Sequence, residues 1–230
     1  YIPDLTDRLA QIGSGSTYVI ADLDGAYTKY IEATLEGEWR SGDGKTFAGG
    51  AYTYMRYYGN FDQDDATATL SFNTFIGSSL IADAAGRQLW DFKDGDMHGE
   101  RPHLLKLWGA YNLPWNATAG GFFVAQSGQP WETWSYEPYR HLTTSVSDDQ
   151  RLAEPAGSRR ADSHYQLDLN YTQRFQIGKS IELHAVADLY NVFDNQTGYN
   201  VEPRIHNSAY GNPRSFYAPR RLNLAARVLF

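Results

Sequence analysis

The 230-residue chain has no cysteine and only 2 methionines. Without thiols there is no disulfide scaffold and no thiolate metal site. No apolar run approaches the roughly 20 residues that a membrane-spanning helix needs, which excludes a helical membrane bundle. Basic charge is scarce as well: 20 Lys and Arg stand against 27 Asp and Glu, a net charge of -7, so no nucleic-acid partner is expected. Rings and glycine are abundant instead. The chain carries 17 Tyr, 11 Phe and 6 Trp, together 15% of its residues, and 21 Gly. Disordered chains are poor in aromatics, yet the mean hydropathy of -0.54 is clearly polar. The fold must therefore be ordered and must keep a large part of its surface wet.

Period-two alternation recurs along the chain, which is the pattern of strands with one apolar face and one polar face. Tyr165, Leu167, Leu169, Tyr171 and Phe175 alternate with Gln166, Asp168, Asn170, Thr172 and Arg174. After a turn at Gln176–Lys179, Ile181, Leu183, Ala185, Ala187 and Leu189 alternate with Glu182, His184, Val186, Asp188 and Tyr190. Ile31, Ala33, Leu35, Gly37 and Trp39 face away from Glu32, Thr34, Glu36 and Glu38. Leu105, Leu107, Gly109, Tyr111 and Leu113 form another such face, and Leu222, Leu224, Ala226, Val228 and Phe230 form the last. Residues 45–58 and 117–127 read as strands whose inward and outward faces the pattern leaves open.

Seven strands result, and their connections alternate in length. Three turns are short: Ser41–Gly44, Pro114–Asn116 and Gln176–Lys179. Three connections are long, about 59–102, 128–162 and 193–216. Strands of 11–13 residues exceed the ~5–6 of soluble sheets, and short turns alternating with long loops are the arrangement of a transmembrane β-barrel. In lipid every backbone N–H and C=O must be paired, and for strands only a barrel achieves that. The expected fold class is therefore all-β, a transmembrane antiparallel β-barrel. Ile31, Leu35, Leu105, Leu107, Leu167, Leu169, Leu183, Leu189, Leu224 and Val228 are expected to face lipid. Trp39, Tyr111, Trp115, Tyr165, Tyr171 and Phe175 are expected in interfacial aromatic girdles. Trp39, Tyr111, Trp115 and Phe175 sit near short turns, whereas Tyr27, Tyr30, Tyr57, Tyr58, Tyr165 and Tyr190 sit where strands meet long loops.

Several pieces, by their order and spacing along the chain, resemble the C-terminal barrel of TonB-dependent outer-membrane receptors, and most of all the Oar-like branch. They are Arg101-Pro102-His103, Leu113-Pro114-Trp115, Gln126-Ser127-Gly128-Gln129-Pro130, Ala51-Tyr52-Thr53-Tyr54, Ile81–Arg87, Asp188–Asp194 and the terminal Phe230. The resemblance covers about residues 28–230. It implies transport of a bulky substrate (peptide, protein or glycan) across the outer membrane, without a cofactor. Partners implied are the TonB complex, through a plug domain not seen in this sequence, and outer-membrane lipid and lipopolysaccharide. Recognition of Phe230 by the barrel-assembly machinery is implied too, as are surface or periplasmic protein partners. The family barrel has 22 strands, so about seven make this chain its expected C-terminal segment, with residues 1–27 an extracellular loop. A rival reading is a non-transporting surface or adhesive barrel that binds a partner through its loops.

No enzymatic arrangement is evident. His98, His103, His141, His164, His184 and His206 have no metal-ligand spacing, and Asp148, Asp149 and His141 form no recognisable catalytic set. His184, beside Glu182 and Asp188, suits a hydrogen-bond network on the wet face. Asp62, Asp64, Asp65, Asp83, Asp91, Asp94, Asp96 and Glu100 make the loop 59–102 acidic, without the spacing of a calcium loop; a solvated acidic surface is expected. Trp131, Trp134, Tyr136 and Tyr139 are the densest aromatic cluster in any loop, hence candidate ligand contacts, with packing of the loop on itself as the competing expectation.

Overall fold

The computed structural model describes residues 27–60, 92, 94–135 and 153–230; expectations that fall elsewhere, including Asp62, Asp83, Tyr136, Tyr139, His141 and Asp148, lie outside the described residues. The described residues are all-β. Seven long strands carry the fold: β1 (Thr28–Arg40), β2 (Thr46–Gly59), β4 (His103–Leu113), β5 (Ala117–Gln126), β8 (His164–Ile177), β9 (Ile181–Tyr190) and β12 (Arg221–Leu229). Short pieces punctuate the long connections: β3 (Gly95–Asp96), β6 (Pro130–Trp131), β7 (Arg159–Arg160), β10 (Gly198–Val201) and β11 (Pro213–Phe216). The long connections are thus not structureless, because β6 pairs with β7 and β10 with β11.

The long strands form one antiparallel meander in the order β1-β2-β4-β5-β8-β9-β12, with β3 added to β2. The sheet is open rather than a closed barrel. β12 pairs with β9 and β1 with β2, so each has a free edge among the described residues. The short turns fold as their residues require: Gly44 (φ 70°), Asn116 (φ 58°) and Gly178 (φ 69°) take the left-handed conformation that glycine and asparagine tolerate best.

Because cross-strand partners project to one side, the registers settle which residues share a face. One continuous row runs Trp39, Ala48, Gly109, Gly121, Leu169, Leu189 and Leu222. The two strands left open by sequence are thereby phased. Ala48, Gly50, Tyr52 and Tyr54 join the apolar face from β2, as do Ala119, Gly121, Phe123 and Ala125 from β5. On the other face Trp108 lies opposite Gly49 and Phe122. A Cβ on Gly49 would stand 2.5 Å from Trp108 Nε1, so glycine is what lets the indole lie across β2.

A soluble sheet of this size would bury one face in a core. Here only Met97, Ala117 and Trp134 are buried apolar side chains among the described residues. On the apolar face Leu35 is 78% and Leu224 70% exposed. The buried part of the molecule lies instead in the long connections and the strand ends beside them, and it is mostly polar: Glu100, Glu132, Thr133, Ser135, His164, Asn191 and Glu202.

Candidate functional site

Two surfaces carry candidate function, the two-faced sheet and the polar cap built by the long connections at one end of it. Every residue expected to meet lipid falls on a single face: Ile31 and Leu35 on β1, Leu105 and Leu107 on β4, Leu167 and Leu169 on β8, Leu183 and Leu189 on β9, and Leu224 and Val228 on β12. Between its ends that face bears no acid. Its ionisable bases are Lys29, Arg56 and His103, all at the end of the long connections. Trp39, Tyr111, Tyr165, Tyr171 and Phe175 share the same face. Trp115, in the β4–β5 turn, joins them by donating from Nε1 to Tyr171 Oη at 3.1 Å. The second ring belt is thinner than expected: Tyr30, Tyr57 and Tyr190 belong to the polar face, because their partners Tyr57, Tyr30 and Arg221 alternate with the apolar row.

The polar face carries Glu32, Glu36 and Glu38 on β1, Lys106 on β4, Asp168 and Arg174 on β8, Glu182, His184 and Asp188 on β9, and Arg221 and Arg227 on β12. The side chains pair locally. Gln166 Nε2 donates to Asp168 at 2.8 Å, and His184 Nε2 lies 2.9 Å from Glu182 Oε1, the network expected of His184.

At the cap, charge is buried in paired form. Glu100, 1% exposed, meets Arg160 at 2.7 Å and Arg56 at 3.6 Å, while Asp96 meets the same two guanidiniums at 3.3 Å and 3.4 Å. The four groups close an alternating square that joins β2, β3 and β7. The backbone crossings beneath it are tight: a Cβ on Gly95 would lie 1.9 Å from the Ala156 carbonyl oxygen, and one on Gly128 1.8 Å from that of Ala161. These contacts correct the expectation of a solvated acidic surface for Asp96 and Glu100. Asp94 is engaged too, accepting from Tyr27 Oη at 2.6 Å.

Of the loop aromatics, Trp134 is 1% exposed, and its Nε1–H donates to Glu132 at 2.5 Å. Its backbone exchanges bonds with Pro203 and Ile205, so the indole holds two long connections together and leaves no ring face for a ligand. Trp131 is half-buried, with Arg159 over its ring at 5.2 Å and Tyr210 edge-on at 6.0 Å. Glu132 itself accepts from the Gly157 N–H at 2.9 Å and sits 3.4 Å from His98. Burial opposes ionisation of Glu132, but its bonds with His98, Gly157 and Trp134 outweigh that and hold its carboxyl below the ordinary range. Arg204 holds Glu202 down in the same way. A small cavity beside Trp131, about 20 Å³ and bordered by Gln129, Asn200 and Arg214, has room for about one water.

Sequence reading missed this network. The one usable signal was Glu132, an acid between two tryptophans in a run otherwise fit for burial. The Asp188–Asp194 segment gains a structural reason as well. Asn191 (φ 50°, 1% exposed) donates from Nδ2 to Ala218 and Asn195 and accepts from the Asn195 N–H, knotting the chain where β9 ends.

No protein-family model matches the chain, and no curated protein matches it. Among the described residues no group of three or more His, Asp or Glu could hold a metal ion.

Proposed function

We propose that the chain forms part of the wall of a transmembrane antiparallel β-barrel in the cell outer membrane. We further propose that this barrel is a transporter of the TonB-dependent class, moving a bulky peptide, protein or glycan. The observation that carries the reading is the apolar face, continuous across seven strands and without charge between its ends. Seven strands at ~4.8 Å and about nine residues at ~3.3 Å give it an area of roughly 1,000 Å². The largest apolar patch on a soluble monomer is about 300–600 Å². Hydrocarbon is the environment that such a face tolerates.

The stagger of the strands supports closure. The row through Arg40 and Phe47 passes Ala110, Gly120 and Asn170. β8 continues past that row to Ile177, so from the first short turn to the third the sheet steps down by seven residues (177 minus 170) over four inter-strand steps. At ~3.4 Å per residue and ~4.8 Å per strand this is a tilt of roughly 50°. Membrane barrels tilt their strands by about 35–45°. The wet face would then line a lumen, and the polar cap would close over the extracellular mouth.

Single cysteines test the orientation. Ser158→Cys, in the cap, should react with an impermeant maleimide on intact cells, and Lys179→Cys, in a short turn, should react only after lysis. Labelling of position 179 but not 158 on intact cells would reverse the topology, and an aqueous fraction holding the whole protein would remove the membrane reading. Transport is separated from surface adhesion by uptake: cargo accumulation must stop when the proton gradient is collapsed, whereas a binding barrel retains cargo at the surface regardless.

A further inference from the structure

Among the arginines of the cap one stands apart. Arg101 donates to the His98 and Glu100 carbonyl oxygens, Arg159 to Glu154, and Arg160 to Glu100 and the Gly128 carbonyl oxygen. Arg204 donates to Glu202, and Arg220 to the Val192 carbonyl oxygen. Arg214, on β11, makes no hydrogen bond among the described residues. Its acidic neighbour, Glu202, lies 3.8 Å from Nη1, beyond hydrogen-bond reach. Glu202 is already held by the fork of Arg204 at 2.5 Å and 2.8 Å, so one guanidinium is left over. β11 belongs to the β10–β11 ribbon and not to the open sheet, so no missing barrel strand accounts for this. The Arg214 side chain, 35% exposed, borders the cavity of about 20 Å³ beside Trp131. Gln129 borders it too, and its Oε1 accepts from the Asn200 N–H at 3.0 Å, which leaves the Nε2 donors for the cavity. Trp131, Pro130, Val201 and Pro203 supply apolar sides, and no Asp or Glu borders the cavity among the described residues. His98, the remaining ring there, lies 3.4 Å from Glu132.

We propose that Arg214 and Gln129 form a carboxylate-binding subsite in the cap, which takes the chain-terminal carboxylate of a peptide cargo. The inference deepens the transport reading and rests on the cap lying over the barrel mouth. A cavity with room for about one water admits one carboxylate oxygen and not the several oxygens of a phosphate. A guanidinium fork takes planar carboxylate oxygens in bidentate fashion, and Gln129 adds an amide donor. The apolar sides suit a carboxylate carried on a hydrocarbon stem, and a few polar groups set in an apolar lining are what small-ligand sites use. An acidic sugar would set hydroxyls against Pro130, Val201 and Pro203, whose side chains cannot bond them.

Saturation-transfer NMR on the intact, full-length protein with N-acetyl-leucine, a carboxylate on an apolar stem, tests this. N-acetyl-leucine should receive saturation at millimolar concentration, and N-acetyl-leucinamide should bind about tenfold more weakly, since one charge-assisted contact is worth about a decade in affinity. Arg214→Gln should lose the preference for the acid. Arg214→Lys should keep part of it, and holds the charge in place should the glutamine loosen the cap. Arg220→Gln, equal in lost charge but outside the cavity, should bind as the parent does. Equal binding of acid and amide, no transfer to either, or the parent's preference in Arg214→Gln overturns the subsite. Displacement of N-acetyl-leucine by inorganic phosphate would make it a general oxyanion site and also overturns it. So does carbodiimide coupling of Arg214→Lys to an Asp or Glu of this chain other than Glu202, which would make Arg214 part of an internal ion pair. The assay needs neither membrane nor transport, so it stands or falls apart from the Ser158 and Lys179 labelling that judges the membrane reading.

Discussion

Replacing Glu100 by Gln strikes the cap at its most buried charge. The carboxylate is 1% exposed and faces two guanidiniums, at 2.7 Å (Arg160) and 3.6 Å (Arg56). Removing one partner of a fully buried pair costs about 3–5 kcal/mol. Two features reduce that figure here. Arg56 and Arg160 are 50% and 31% exposed, so water screens what they lose. Asp96 remains within 3.4 Å of both. An opening cost lower by about 2 kcal/mol follows, which is roughly a 30-fold rise in the open population of the cap at about 1.4 kcal/mol per decade. The strands do not depend on this square, so the effect is local. Amide hydrogen exchange over residues 94–100 and 158–161 should accelerate about 30-fold, while β8 and β9 exchange as in the parent protein. Exchange in those two segments within twofold of the parent would refute the square as the fastening of the cap. Equal acceleration in β8 would instead show that cap and sheet open together.

Leu169→Arg and Leu183→Arg should each cost about 2–4 kcal/mol in folding into bilayers if they meet hydrocarbon near its midplane. Asn170→Arg, on the opposite face, should cost less than about 1 kcal/mol, and equal losses would deny the two-faced sheet. Asn191→Ala removes three hydrogen bonds in a buried left-handed position and should destabilise by about 2–3 kcal/mol; a melting midpoint unchanged from the parent would contradict that. The cap should also loosen in acid. Glu132, Glu154 and Glu202 titrate below their ordinary value of 4.5 in the folded state. Depressed carboxyls contribute stability that is present above about pH 4.5 and is lost as pH falls through the folded values. Limited proteolysis should therefore cut residues 128–135 and 198–206 faster at pH 3.5 than at pH 7. Cleavage independent of pH would detach those carboxylates from the hold of the cap.

The sheet was legible because its signal is local and repeated. Leu167, Leu169 and Tyr171 announce a face within five residues, and the register merely aligns that face with its neighbours. β2 and β5 resisted phasing because Gly49, Gly50, Gly120 and Gly121 put no side chain on either face, so only the partner strands decide. The cap was not legible because its contacts join residues far apart in sequence. Arg56 and Glu100, or Trp134 and Pro203, have no local periodicity to betray them. Asp96 and Glu100 looked like solvated loop acids since the two arginines that bury them come from β2 and β7. Composition counts charges, whereas burial depends on where each finds its partner.

Strand direction constrains how the sheet can be completed. In an antiparallel meander of seven long strands, the first and the last run the same way, so β1 and β12 are parallel to each other. Sealing β12 directly onto β1 would demand a parallel pair inside an otherwise antiparallel barrel, which bacterial single-chain barrels, with their even strand numbers, do not use. Antiparallel closure therefore takes an odd number of additional strands. In such a closed barrel the strand on the free edge of β12 and the strand on that of β1 would both run from the turn side towards the cap. Their polar faces meet different neighbours: Arg221 and Arg227 on one side, and Glu32, Glu36 and Glu38 on the other. Cross-strand pairs favour opposite charge, so the strand beside β12 should be the acidic one and the strand beside β1 the basic one. Paired cysteines placed from Leu224 and from Leu35 into successive candidate strands would find both neighbours by disulfide formation. A disulfide joining Leu224→Cys to Leu35→Cys would mean that β12 seals onto β1, and the parity argument would fall.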